Sequence, residues 1–202
     1  METTLLSICL GIGLSAACGF RVFVPLLVMS LASLSGHLSL TAGFQWIGTY
    51  PALLTFAVAT ALEVAGYYIP WVDHALDTVA TPASIVAGTI ATASIVTGMS
   101  PLLKWSLAII AGGGIAGLVQ TTTVVTRAAS TATTGGIANP LFATIELGAA
   151  TAVSFAALLA PVVLAVTLLL LFLIFGRRLL RRFRKTASST APALPIEPIS
   201  SA

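Results

Sequence analysis

Charged residues are nearly missing from this 202-residue chain, making up 7% of it against about 25% in soluble domains. With 57% of its residues hydrophobic, the chain does not have the surface of a soluble globular domain. Cysteine is limited to Cys9 and Cys18. They share one apolar stretch and would stand about 13 Å apart along a helix, too far for a disulfide, so they read as small buried thiols. No CxxC pair and no histidine cluster is present, and neither a metal site nor a cofactor is expected. A Ser-His-Asp set, an HExxH motif and a phosphate-binding glycine loop are also missing. Both histidines, His37 and His74, fall in connectors, which leaves an enzyme as the least supported class. The start, Met1-Glu2-Thr3-Thr4, lacks the basic lead of a cleaved signal peptide, so the apolar segment after it reads as mature structure. Leu14-Ser15-Ala16-Ala17-Cys18 falls short of a lipoprotein cleavage box, because its leucine is one place too far from the cysteine.

What the chain has instead is length of apolar run. Crossing the hydrocarbon takes about 20 apolar helical residues, since a backbone amide unpaired in lipid costs several kcal/mol. The first run, residues 3–34, exceeds one crossing and is interrupted by Gly19, Arg21 and Pro25, which predicts a bend or break. A second span is predicted over 51–69, with Trp46 and Tyr50 as interface anchors. A polar connector, Pro70-Trp71-Val72-Asp73-His74-Ala75-Leu76-Asp77, leads to a third span over 82–99. That span is rich in Ala, Ser, Thr and Gly and suits the middle of a bundle. Pro101 and Lys104-Trp105 mark the next turn, and a fourth span covers 106–125. The stretch 133–140, Thr-Thr-Gly-Gly-Ile-Ala-Asn-Pro, breaks the helix. The apolar run 141–176 would be about 54 Å long as one straight helix against a hydrocarbon core of about 30 Å. Pro161 is the point of division: a turn there gives six spans, a kink or a re-entrant half-helix gives five.

Nine Lys and Arg against six Asp and Glu give a formal charge of +3. The basicity belongs to one place, Arg177, Arg178, Arg181, Arg182, Arg184 and Lys185. Directly after the last span, this run predicts a cytoplasmic C-terminus by the positive-inside rule and a segment able to bind anionic lipid. Six spans would put the N-terminus inside as well. Nucleic-acid binding is a weak reading of a basic run that adjoins a membrane span. Residues 186–202, rich in Ala, Ser and Pro, read as a disordered tail.

Packing chemistry comes first along the helices. Ser7, Gly11, Ser15 and Gly19 recur every four residues and form a small-residue stripe. Gly113 with Gly117, and Ala83, Ala87 and Ala91, do the same in later spans. The alternative for such a stripe is the lining of a narrow path. Gln120, Thr121, Thr122, Thr123 and Thr126 make the end of the fourth span unusually polar, as a hydrated path would, although threonine also back-bonds within helices.

The informative residues are the ionisable ones in or beside apolar stretches: Arg21, Glu63, Arg127 and Glu146, with Asp73 and Asp77 at a connector. Each charge at mid-bilayer costs about 2.5–3.5 kcal/mol, so four unpaired ones would oppose insertion by roughly 10–14 kcal/mol. They must be paired, neutralised or wetted. The inventory allows two ion pairs, Arg21 with one glutamate and Arg127 with the other. One reading has them converge on a polar cavity that holds an anionic group or carries a proton; the other has them fix helix register. If the connector is helical, Asp73 and Asp77 share a side, which suits a cation or proton site or an ordinary wetted membrane edge. Asn139-Pro140 after Gly135-Gly136 is either a plain break or an unwound segment whose amides would hold an anion. Each arginine follows a glycine by ten residues, Gly11 to Arg21 and Gly117 to Arg127, and precedes a proline-led helix with a glutamate. That order suggests two inverted three-helix halves.

Three strings, Gly19-Phe20-Arg21-Val22-Phe23-Val24-Pro25, then Tyr68-Ile69-Pro70-Trp71-Val72-Asp73 with Asp77 and Thr81-Pro82, then Thr134-Gly135-Gly136-Ile137-Ala138-Asn139-Pro140 with Glu146, resemble a bacterial membrane family known as domain of unknown function 4126. The resemblance covers about residues 5–175. It implies a helical inner-membrane protein and brings no substrate with it. The expectation is therefore an all-α polytopic bundle over 1–176, followed by a basic segment over 177–185 and a tail over 186–202. The leading function is a small transporter or permeation protein for an ion or anionic solute, with a homodimer completing the pathway. Arg21, Glu63, Arg127, Glu146, Asp73, Asp77, Gln120 and Asn139 would line its route. The alternative is a structural or assembly protein whose buried charges fix the bundle and whose basic tail binds lipid or a partner.

Overall fold

In the computed structural model the described residues are 2–69 and 72–189, and their regular structure is entirely helical. Pro70 and Trp71 of the expected connector lie outside them, as do residues 190–202 of the expected tail. The order is α1 (Glu2–Cys18), α2 (Phe23–Leu34), a 3-10 helix (Ala42–Gly48), α3 (Tyr50–Tyr67), α4 (Val72–Ile95), α5 (Pro101–Leu107), a π-helical turn (Ala108–Gly113), α6 (Gly114–Thr134), α7 (Asn139–Leu159) and α8 (Pro161–Ser189). The contacts divide the chain into a compact unit, Met1–Ala165, and a second unit, Val166–Ala202.

The first apolar run breaks as its sequence predicts, between Cys18 and Phe23. Pro25 is not the breaker. It sits in the first turn of α2, where a proline's missing N–H removes no helical bond. From Val72 onward the expected connector is helical. The helix starts at Val72 and runs through Pro82 to Ile95, so Asp73 and Asp77 are helical and one turn apart. Helix formation prevails there because neighbouring helices answer both carboxylates, as described below.

The fourth span also outgrows its prediction. From Pro101 to Thr134 the chain is one helical rod of 34 residues, about 51 Å long at 1.5 Å per residue, with the π turn at its glycines. Ser100 starts it, its hydroxyl accepting from Leu103 N–H, and Pro101 opens the helix instead of turning the chain. The threonine-rich end is helical, and the hydroxyls of Thr121, Thr122 and Thr126 each donate to the carbonyl four residues back, which satisfies them without water. Gly135 and Gly136 end the rod with φ of +64° and +87°, a left-handed backbone that glycine alone adopts freely. The last apolar run divides at Ala160, between α7 and α8.

Among the described residues, four helical stretches are long and apolar enough to cross a membrane: Tyr50–Tyr67, Ala75–Ile95, Pro101–Thr134 and Asn139–Leu159. Thr3–Cys18, Phe23–Leu34 and Pro161–Ile174 are shorter apolar helices. Their outward faces carry large apolar side chains, such as Leu54, Leu62 and Ile110, the arrangement expected where lipid is the solvent. The chain is a polytopic helical membrane protein. An inverted duplication is not supported by the local backbone, since Arg21 stands in a helix break whereas Arg127 is inside α6.

Inside the compact unit three members of the small-residue stripe, Gly11, Ser15 and Gly19, lie against α4 and α6. Ser15 Oγ donates to Gly88 O at 2.7 Å and is 2.8 Å from Thr92 Oγ1, closing α1 onto α4. A Cβ on Gly11 would stand 3.1 Å from Thr92 Cα, and one on Gly19 would stand 2.5 Å from the carbonyl oxygen of Ala116 in α6. Gly113 and Gly117 face Ile85 of α4. Ser7 is the exception, its hydroxyl turned back to Thr4 O within α1.

Candidate functional site: a buried charge cluster

Arg21 is held in the break between α1 and α2, 1% exposed, with its backbone N–H on Ala17 O. Its Nη2 donates to Ala143 O of α7 at 2.9 Å and stands 3.4 Å from Glu146 Oε2. Arg127 arrives from α6, 2% exposed. Its Nη2 is 3.0 Å from the same Glu146 oxygen and 3.0 Å from Asp77 Oδ1 of α4. Both guanidiniums lie over the ring of Tyr67 at the end of α3, with Cζ 3.8 Å and 4.2 Å from its centroid. The electron-rich ring face lets two like charges approach one another at a buried site.

Glu63 does something else. Its carboxylate accepts from Val22 N–H at 2.8 Å and Phe23 N–H at 3.1 Å, where α2 presents unpaired donors and the positive end of its dipole. The expected pairing, one glutamate per arginine, is therefore wrong. Glu146 serves both arginines, Asp77 takes a share of Arg127, and Glu63 anchors a helix start. The physical reason is that a helix N-terminus can satisfy a carboxylate as well as a guanidinium can, and the break after α1 brings one within reach.

Asp73 accepts from Asn139 Nδ2 at 2.9 Å, and the same amide reaches Thr131 Oγ1 at 3.0 Å. Asn139 opens α7. The N–H groups of Asn139 and Leu141 are taken by Gly136 O and Ala138 O, so this break does not hold its amides free for an anion. Gln120 is buried at 1% exposure, and its Nε2 has no hydrogen-bond partner among the described residues. Of the eight expected site residues, Arg21, Glu146, Arg127 and Asp77 form one ion-paired cluster. Asp73 is joined to Asn139, and Glu63 is tied to the backbone beside Arg21. Tyr67 was missed from sequence. Its signal is its spacing, four residues after Glu63 on the same face of α3.

A cavity of about 250 Å³ adjoins the cluster, lined by Asp73, Asp77, Thr78, Thr81, Val124, Arg127, Ala128 and Asn139. No group of three or more His, Cys, Asp and Glu able to hold a metal ion exists among the described residues. In the second unit α8 continues through the polybasic run, with Arg177 and Arg178 exposed. The side chains of Arg181, Arg182, Arg184 and Lys185 lie outside the described residues.

A family model described as domain of unknown function DUF4126 matches residues 8–182. The chain belongs to this family. Comparison of this DUF4126 protein with curated proteins and with solved structures returned no match. The matched region contains every residue of the charge cluster, and it ends inside the basic run. The DUF4126 assignment thus covers the part of the chain where the ionisable groups of five segments meet.

Proposed function

We propose that this protein is a structural or assembly component of a bacterial inner membrane, not an enzyme, in which the buried charges fix the packing of the bundle. The basic segment from Arg177 to Lys185 then holds an anionic cytoplasmic leaflet or a partner protein. One observation carries this reading: a single carboxylate oxygen, Glu146 Oε2, serves Arg21 at 3.4 Å and Arg127 at 3.0 Å, joining α7 to the α1–α2 break and to α6. A group engaged in this way ties elements together, and it is poorly placed to release and rebind a cargo. Removing one partner of such a network costs several kcal/mol because a charge is left uncompensated. The test pairs two variants of the full chain in liposomes and in cells. Deletion of 177–202 should abolish the cellular role and lower the share of anionic lipid that co-purifies, by about 1 kcal/mol of binding per base lost. Charge-balanced replacement of buried pairs should leave the role intact once folding is retained. Flux of ions, protons or anionic solutes through liposomes, lost in Arg21→Ala and Glu63→Ala while both variants stay folded, would replace this reading with the transporter.

The cavity beside Arg127 is the observation that favours transport as the second reading. Under it, Asp73, Asp77, Arg127 and Asn139 would form part of a route, and a second copy of the chain would complete it.

A further inference from the structure

We propose that the cavity between α4, α6 and the start of α7 binds one small neutral solute through a carbonyl or hydroxyl oxygen that accepts from Arg127. The first observation is an unanswered donor. Arg127 lines the cavity at 2% exposure, and its Nε and Nη1 have no hydrogen-bond acceptor among the described residues. A buried N–H left unanswered is costly, so an acceptor belongs beside it.

The second observation is that Arg127 lacks an acceptor but not a counter-charge. Its Nη2 already stands 3.0 Å from both Asp77 Oδ1 and Glu146 Oε2. An anion would add no charge that these carboxylates do not supply, and it would meet Asp73 and Asp77 on the cavity wall. A cation would face the guanidinium. The acceptor is therefore uncharged. The rest of the wall indicates what carries it. Val124 and Ala128 present only hydrocarbon side chains there, whereas a fixed water needs about two to four polar partners. An oxygen on a small carbon body suits both surfaces. The amide of Asn139 donates to Asp73 and Thr131, and Thr81 Oγ1 spends its proton on Asp77 O at 2.9 Å, which leaves its lone pairs for an N–H or O–H of the solute. Small amides and polyols have this pairing of acceptor with donor. The space, about 250 Å³, exceeds the roughly 30 Å³ that one water occupies in the liquid. Thr78 and Ala128 of the lining are exposed, so the site is reached from outside the bundle. Holding a solute is thus a second task for Arg127, separate from the packing that its Nη2 performs.

The full-length protein, carrying nitrogen-15 at arginine Nε, is followed by NMR in detergent micelles. The Arg127 Nε–H signal is the one lost in Arg127→Lys; should that variant not fold, it is the exchange-protected signal that survives in Arg21→Lys. Acetamide and glycerol are titrated, with sodium acetate and choline chloride as charged controls. The expected result is a saturable shift of the Arg127 signal with acetamide, glycerol or both, and a midpoint raised at least threefold in Val124→Trp, which fills the cavity from a residue outside the ion pairs. Should that variant not fold, Ala128→Leu takes up the same space one turn along α6. A midpoint unchanged in the folded cavity variant overturns the assignment to this site. A response to acetate or choline that exceeds the response to both neutral solutes makes the ligand an ion and overturns the proposal. No shift with any of these solutes leaves water alone in the cavity and overturns it as well.

Discussion

Replacing Arg127 by methionine keeps much of the side chain's length and removes its charge, and it should cost about 3–5 kcal/mol of unfolding free energy. The magnitude follows from two contacts of 3.0 Å, to Asp77 Oδ1 and Glu146 Oε2. At an effective dielectric constant of about 20, each represents about 5.5 kcal/mol of Coulomb attraction, most of it offset by the desolvation of both ions. Truncation therefore reveals chiefly the cost of leaving acids uncompensated. Glu146 keeps Arg21 at 3.4 Å, so the larger share of that cost falls on Asp77. The second variant follows directly: Arg127→Met with Asp77→Asn leaves Arg21 and Glu146 as a balanced pair and should recover at least half of the loss. Arg127→Met with Glu146→Gln instead removes the guanidinium beside Asp77 and the carboxylate beside Arg21 and should be worse than the single variant. Denaturation in mixed micelles, followed by helical circular dichroism, measures all three. A single-variant cost below about 1 kcal/mol, or a double variant Arg127→Met/Asp77→Asn no more stable than Arg127→Met, would refute the reasoning.

Glu63→Gln should destabilise by about 1–3 kcal/mol, because an amide cannot accept from both Val22 and Phe23 N–H with the strength of a carboxylate; the same denaturation assay reads it. Gly19→Ala should cost about 1–3 kcal/mol through overpacking, since its Cβ would press on Ala116 O and Val119 Cβ at 2.5 Å. Gly148→Ala, with open space around it, should be neutral or slightly stabilising, by up to about 1 kcal/mol. Val124→Cys, made with Cys9 and Cys18 replaced by serine, should react with a membrane-impermeant maleimide if the cavity is wet. Blocked labelling of the folded protein would make the cavity dry.

Much of the fold could be read from sequence because lipid leaves the chain few options. Apolar runs must be helical, and the break at Gly19–Arg21 and the division at Pro161 follow from residues that disturb a helix. The misreadings share one cause. Asp73 and Asp77 read as part of a polar connector between spans, and Gln120 to Thr126 as an unusually polar span end fit for a hydrated path, because local polarity suggests a helix boundary or water. Tertiary partners reverse that inference: Asn139 and Arg127 answer the aspartates, and the threonines satisfy themselves on the preceding turn. The candidate site was legible as an inventory, two arginines and a set of acids that must meet. Its wiring was not, since nothing local tells Glu63 that a helix start forty residues earlier in the chain offers two N–H groups.

That wiring separates the two acidic groups by role. Glu63 and Glu146 lie on α3 and α7 and are engaged by the α1–α2 break and by the arginines, so changing either must loosen contacts between helices. Asp73 and Asp77 sit one turn apart at the start of α4, on a cavity, with Asp77 reaching back to Arg127 at 3.0 Å. Arg127 Nη2 is thus shared between Asp77 of α4 and Glu146 of α7, both at 3.0 Å, and neutralising one acid leaves the guanidinium to the other. Asp77→Asn with Glu146→Gln should therefore cost more than the sum of the two single variants in the same denaturation assay, because only the double variant leaves Arg127 without either carboxylate. Additive costs would mean that Arg127 does not tie α4 to α7.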